Sequence, residues 1–207
     1  MGTGSAEGEL VGLNLFHGMY VVGLALGLEE ITTSLYQALE RGALTFASVF
    51  LFFSILLLIV RFFWSTGNIR RAWMRDAHPN PKFYILVHLP ALLIQGSLVL
   101  FVCLAYAKYL SGAVSGTHVV VWFIVATSWN IFWLLLLTKG KVSQPPEYLW
   151  AKNNVILVLV GIGILAIGAA MRDYQAMFII AFSLASLVSS AIDLAASGEE
   201  YLATLGC

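Results

Sequence analysis

Apolar runs separated by short polar clusters recur six times along the chain, at about 10–36, 43–65, 83–110, 118–138, 153–171 and 175–197. Each run is close to the roughly 20 residues that an α-helix needs to cross a hydrocarbon core. The pattern predicts an all-α integral membrane protein, with residues 1–207 forming a single domain, a bundle of six transmembrane helices. The first run opens on polar residues without a basic lead, so it does not read as a cleaved signal peptide. The longest connections, roughly 66–82 and 139–152, are too short for a soluble domain. Pro79 and Pro81 interrupt one, and Pro145 and Pro146 the other, because proline lacks an amide donor and disfavours helix in the residue before it. No internal repeat relates the first three runs to the last three. Function is therefore expected within the helices, at their ends, or in an assembly of several copies.

Composition narrows the class. Of the 207 residues, 60% are hydrophobic and 11% are charged, against about half and a quarter in soluble domains. The formal net charge is zero, so the distribution of charge carries the information. With the N-terminus inside, the inner side receives Arg61, Arg70, Arg71, Arg75, Lys82, Lys139, Lys141 and Lys152, and the outer side only Arg41, Lys108 and Arg172. Cytoplasmic loops retain Lys and Arg, so both termini are expected in the cytoplasm. Trp64, Trp73, Trp133 and Trp150 cluster near the same inner boundary, as an interfacial aromatic belt would. Cys103 and Cys207 provide neither a disulfide framework nor metal-ligand spacing. The acidic end, SGEEYLATLGC, reads as a solvated tail. No nucleic-acid partner is expected; the lipid bilayer is.

Polar and ionisable groups deep in a membrane are costly, a charge by several kcal/mol, and normally face protein or water. Here they are Asn14, His17, Glu29 and Glu30 in the first run, Arg61 in the second, His88 and Gln95 in the third, Asn130 in the fourth and Asp193 in the sixth. Counting rise from the inner end puts His17, Arg61, His88 and Asp193 at similar depths in the inner third. Arg61 is expected to snorkel to the inner headgroups, with a pair to Asp193 as the alternative. Such a pair would tie the second helix to the sixth. Asn130, Arg61 and Asp193 are the residues expected to set packing at the inner end.

The stretch FHGMYVVGLALGLEE carries more detail. At about 100° per residue, Gly18, Val22, Leu26, Glu29, Thr33 and Tyr36 share one stripe, while Gly23 and Gly27 lie a third of a turn or more away. GLALG is a G-x-x-x-G pattern that lets another helix approach closely. The other stripe alternates bulky apolar groups with a carboxylate and a hydroxyl. A narrow ion path can use that arrangement: a constriction at Val22 and Leu26 that gates by dewetting, and an acidic mouth at Glu29 that concentrates cations. Copies of the helix around a symmetry axis would turn each position into a ring. The opposing reading makes Glu29 and Glu30 the outer end of a tilted span, paired with Arg41 or Arg172.

FHGMYVVGLALGLEE also resembles, with one residue missing, the first helix of the endosomal and lysosomal potassium channel family and its bacterial homologues. There a Phe-Ser-Asp motif precedes a small residue, an apolar run and an acidic end. VFLFFSILLLIVRFFWSTGNIRR resembles that family's second helix, in which a Phe-rich run leads to a Trp and a polar inner end. The resemblance covers roughly 40 of the 207 residues. It implies a single six-helix repeat in a bacterial inner membrane, assembled as a tetramer whose first helices line a potassium-permeable pore. Carried across, the apolar rings fall at Val22 and Leu26, with Glu29 one turn further out. His17 and Gly18 stand where the motif has Ser-Asp, and Leu13 and Asn14 stand near the position of its basic residue. His17 ionises near neutrality in the ordinary case, which implies pH sensitivity at that end.

The expected function is thus an oligomeric channel for monovalent cations, without a cofactor. Three rivals use other residues. His17 and His88, at similar depth, could be axial ligands of a b-type haem with Arg61 on a propionate. A small-solute carrier could use the break at Pro90 and Gln95 in HLPALLIQG. A non-transporting anchor or signalling partner could act through RRAWMRD, which suits anionic headgroups. Without G-x-S-x-G, H-E-x-x-H or paired aspartates, an enzyme is not expected.

Overall fold

The computed structural model describes the backbone of residues 3–75, 89–137 and 145–202, and side chains over most of 21–62, 90–135 and 149–195. Six α-helices account for nearly all of it, and no strand occurs among the described residues. They are α1 (Thr3–Glu40), α2 (Phe46–Arg75), α3 (Leu89–Leu110), α4 (Gly116–Leu137), α5 (Pro145–Ala170) and α6 (Gln175–Leu202), with a short 3-10 turn at Arg172–Tyr174. Three stretches, Pro90–Leu110, Leu149–Ala170 and Gln175–Ala195, are long and apolar enough to cross a membrane, and Phe46–Phe62 is a shorter apolar stretch.

Several helices outrun the apolar runs that predicted them. α5 starts at Pro145, eight residues before the expected boundary at 153. Proline's missing amide costs nothing in a first helical turn, where the donor has no intrahelical partner anyway. The prolines therefore start a helix here. α2 likewise continues past residue 65 to Arg75 with a polar final section.

Two of the connections have the same construction. α1 and α3 each close in a Schellman motif. Gly42 and Gly112 take φ of +63° and +77°, the amides of Gly42 and Ala43 donate to the carbonyls of Leu39 and Ala38, and those of Gly112 and Ala113 to Tyr109 and Lys108. A hydroxyl then starts the next helix. The Ser48 amide donates to Thr45 Oγ1 at 3.2 Å and the Thr45 amide to Ser48 Oγ at 2.9 Å, a reciprocal capping box. These turns define one end of the structure, here called the loop end.

Contacts between helices fix their directions. Tyr106 Oη near the end of α3 donates to the Ser48 carbonyl at the start of α2, at 2.9 Å, so α3 rises to the loop end as α1 does. α1 packs on α3, α3 on α4, α4 on α5, α5 on α6 and α6 on α2. The core is made by residues such as Ile31, Leu51, Ile55, Val102, Tyr106, Phe123, Leu157 and Phe182. Phe101 stacks on Trp122 across α3 and α4 at 4.9 Å, and Phe123 meets Phe182 edge-on across α4 and α6 at 5.1 Å. Gly161 brings α5 close: a Cβ there would lie 2.7 Å from Ile124 Cδ1 and 3.0 Å from Phe182 Cε2.

α1 is held differently. Its contacts run chiefly to α3, where Leu24, Gly27, Ile31 and Ala38 are buried. Gly27 is the tight point, since a Cβ would stand 3.0 Å from Cys103 Sγ, whereas nothing lies within 4 Å of one at Gly23. Of the G-x-x-x-G pair, only the second glycine serves close packing within the protomer.

Candidate functional site

Two arrangements place polar groups where an apolar chain would otherwise have none. The first is the outward stripe of α1. Val22 is 57% exposed, Leu26 52% and Tyr36 60%, and Gly18, Glu29, Glu30, Thr32 and Thr33 are exposed as well. The stripe is exposed in the protomer, as are Val21, Ala25 and Gln37 beside it, while Leu24, Gly27 and Ile31 are buried. Val22 to Tyr36 covers about 21 Å at 1.5 Å per residue. Neither Glu29 nor Glu30 forms an ion pair among the described residues; the one salt bridge there joins Arg61 to Asp193. No pair with Arg41 is formed among the described residues; the Arg41 Nε donates to the Gln37 carbonyl at 3.1 Å. Thr32 Oγ1 closes its own bond to the Leu28 carbonyl at 2.7 Å, while no such bond engages Thr33 among the described residues.

The second arrangement is a buried polar layer. Arg61 on α2 does not snorkel. Its Nη2 forms an ion pair with Asp193 Oδ2 on α6, with side-chain exposures of 3% and 6%, and donates to Asn154 Oδ1 on α5 at 2.9 Å. Asn153 Nδ2 donates to Asp193 Oδ1 and to the Ser189 carbonyl, both at 2.6 Å. Asn154 Nδ2 in turn bonds the Trp150 carbonyl. Three helices are therefore joined through one charge pair and two amides. Ser54 extends the α2 to α6 seam by donating to the Ser183 carbonyl at 3.1 Å. The pairings Ser54 with Ser183 and Arg61 with Asp193 run in the same order, so α2 and α6 are parallel.

Counted from the loop end, Arg61, Gln95, Asn130, Asn154 and Asp193 fall at similar depth, about 21–27 Å along their helices at 1.5 Å per residue. Each of α2 to α6 contributes one. Asn130 and Gln95 are fully buried, and among the described residues both amide atoms of Gln95 lack a hydrogen-bond partner. Trp133 is buried beside Ala91, and Trp129 Nε1 donates to the Ala91 carbonyl at 3.3 Å.

No family model, curated protein or solved structure matches this chain. What it does must be argued from its own geometry.

The structure brings Arg61 and Asp193 together and keeps both away from Val22, Leu26, Glu29 and Thr33, which lie on a helix that packs on α3. His88 and the side chain of His17 lie outside the described residues. Among the described residues no group of three His, Cys, Asp or Glu is placed to hold a metal ion. Cys103 is a buried free thiol against Gly27. Asn153 and Asn154 were missed at the sequence level, since they stand where the fifth apolar run was expected to start and read as its boundary. Two adjacent carboxamides just inside that boundary were the available signal. The serines of SLASLVSSAID, at positions 183, 186, 189 and 190, were missed too, and their spacing places them on one side of α6.

Proposed function

We propose that the protein works as a homo-oligomeric, six-span membrane channel for monovalent cations, with α1 lining the path. The observation that carries the reading is the outward stripe of α1. Two carboxylates without an ion pair among the described residues stand exposed among Val22, Leu26 and Tyr36. They lie level with Gly27 and Cys103, about 10 Å along α3 from its loop end. Facing lipid at that depth, each would cost about 3 kcal/mol. Facing water in an assembly, they cost little and attract cations.

In this reading the loop end is the outer side and the termini are cytoplasmic. Val22 and Leu26 form apolar rings that exclude water when narrow. Glu29 concentrates cations above them, and Thr33 offers a hydroxyl one turn further out. The Arg61, Asp193, Asn153 and Asn154 junction holds the rest of the protomer together behind the pore helix. Likeness of the first two helices to the endosomal and lysosomal potassium channels favours a tetramer and potassium as the permeant ion, and a bacterial inner membrane as the location.

Potassium efflux from liposomes holding the purified protein tests this. Leu26→Ser should raise flux by wetting the constriction, and Glu29→Gln should lower it. Absence of flux from all three proteins, with folded oligomer present, would reject the channel.

A further inference from the structure

We propose that the outward stripe of α2 is a binding site for an anionic phospholipid, its phosphate held by Arg71 and Arg75 and its acyl chains laid along Phe53 and Val60. The site rests on the membrane-spanning part of the proposed function and not on conduction.

The two flanks of α2 are identified by their partners. Arg61 pairs with Asp193 and Ser54 bonds the Ser183 carbonyl, both on α6. Phe52 meets the Tyr106 ring on α3 at 6.2 Å. Between these flanks runs a third face, on which Phe46, Phe53 and Val60 are 82%, 51% and 44% exposed. α2 is helical through Arg75. At about 100° per residue the same stripe therefore continues through Trp64, Arg71 and Arg75, all within about 40° of Phe53. Arg70 does not share it: the register sets it about 100° away, at the angle of Phe52.

The chemistry along the stripe changes in the order of a bilayer's layers. From Phe46 to Trp64 every position within about 60° of Phe53 is apolar or aromatic. By contrast, the outward stripe of α1 carries Glu29 and Thr33. Exposed charges at Arg41, Lys108 and Asp173 set the loop end at one boundary. Measured from Phe46 at 1.5 Å per residue, Trp64 lies about 27 Å along the axis, Arg71 about 38 Å and Arg75 about 44 Å. The hydrocarbon core is about 30 Å thick and the whole bilayer about 40–45 Å. Trp64 thus falls at the far edge of the core, where aromatic residues collect. The usual helix tilt of about 20° brings Arg71 to about 35 Å, within the headgroup layer, with Arg75 one turn beyond.

Charge selects the lipid. Guanidinium groups bind phosphate oxygens through paired hydrogen bonds, and these two arginines stand about 6 Å apart along the axis. α2 contains no Asp or Glu to offset them. A headgroup whose phosphate lacks a cation of its own, such as phosphatidylglycerol, fits this site; the choline of phosphatidylcholine would oppose it.

Native mass spectrometry of the purified protein tests the site by comparing bound phosphatidylglycerol with phosphatidylcholine of the same acyl chains. The unsubstituted protein should prefer phosphatidylglycerol severalfold. Arg71→Gln and Arg75→Gln should each weaken that binding about five-fold and leave phosphatidylcholine unchanged. Arg70→Gln removes the same charge one residue off the stripe and should change binding less than about two-fold, since the lipid is held by position as well as by charge. Equal affinity for the two lipids would overturn the proposal, and so would equal losses in the three variants, which would mean charge alone. Displacement of the lipid by inorganic phosphate, but not by chloride of equal ionic strength, would indicate a free-phosphate site and also overturn it. Potassium flux is read separately, so failure of the channel and failure of the lipid site are distinguishable.

Discussion

Asp193→Asn isolates the charge at the α2, α5 and α6 junction. The substitution keeps shape, and its amide oxygen still accepts from Asn153, which now bonds Asp193 Oδ1 at 2.6 Å. What it removes is the negative charge opposite Arg61, a side chain that is 3% exposed. Asn154 Oδ1 remains as a neutral acceptor at 2.9 Å. Breaking a buried ion pair from one side typically costs about 3–5 kcal/mol, because a desolvated charge is left without compensation. For a chain of this size each kcal/mol corresponds to about 2–4 °C, so the apparent Tm should drop by roughly 6–20 °C. Thermal unfolding in detergent, followed by tryptophan fluorescence, measures this. Arg61→Met should be destabilising too, through the opposite orphan. The double variant should recover most of the loss, because no charge remains buried. A drop of under about 1 kcal/mol for Asp193→Asn would refute the reasoning, and so would a double variant that merely sums the singles, since additivity means no coupling.

Gln95→Leu should stabilise by about 1–3 kcal/mol, because the substitution deletes two buried polar atoms without partners among the described residues and nearly keeps the volume; a fall in Tm would show that the amide is engaged. Gly161→Leu should destabilise by at least about 1–3 kcal/mol, the usual range for overpacking, since even a Cβ would press on Ile124 and Phe182. Unfolding of that variant at the Tm of the unsubstituted protein would contradict the close approach of α5 to α4 and α6.

The legible and illegible parts of the fold separate by the kind of information each needs. Helix positions follow from apolar run length, so all six were located. Their ends did not follow, because run length marks where lipid-compatible residues stop and not where backbone bonding stops; α5 shows this at Pro145. The outward stripe of α1 was legible because Glu29 and Thr33 break the apolar sequence at helical spacing. Its packing partner was not. α3 and α4 are apolar on nearly every side, so periodicity gives no direction, and nothing in the pattern points Gly27 to Cys103, against which it packs. Arg61 and Asp193 stood out by charge and shared depth. Snorkelling was the expected outcome for Arg61 because an arginine stem reaches headgroups readily; Asn153 and Asn154, which complete its cage, were taken for a boundary.

Water accessibility along α1 tests the central claim most directly. With Cys207→Ser as background and Cys103 buried, single cysteines at Val22, Leu24, Leu26, Glu29 and Thr33 would be treated with a membrane-impermeant, water-soluble thiol reagent while potassium flux is recorded. A pore lined by α1 predicts that cysteines at Glu29 and Thr33 react from the outer side and that their modification blocks flux. It also predicts that those at Val22 and Leu26 react faster when the path is wet, with Leu24, buried on the packed side of α1, unreactive. Uniform lack of reaction at all five positions in a folded oligomer would place this face of α1 against lipid or protein and contradict the account.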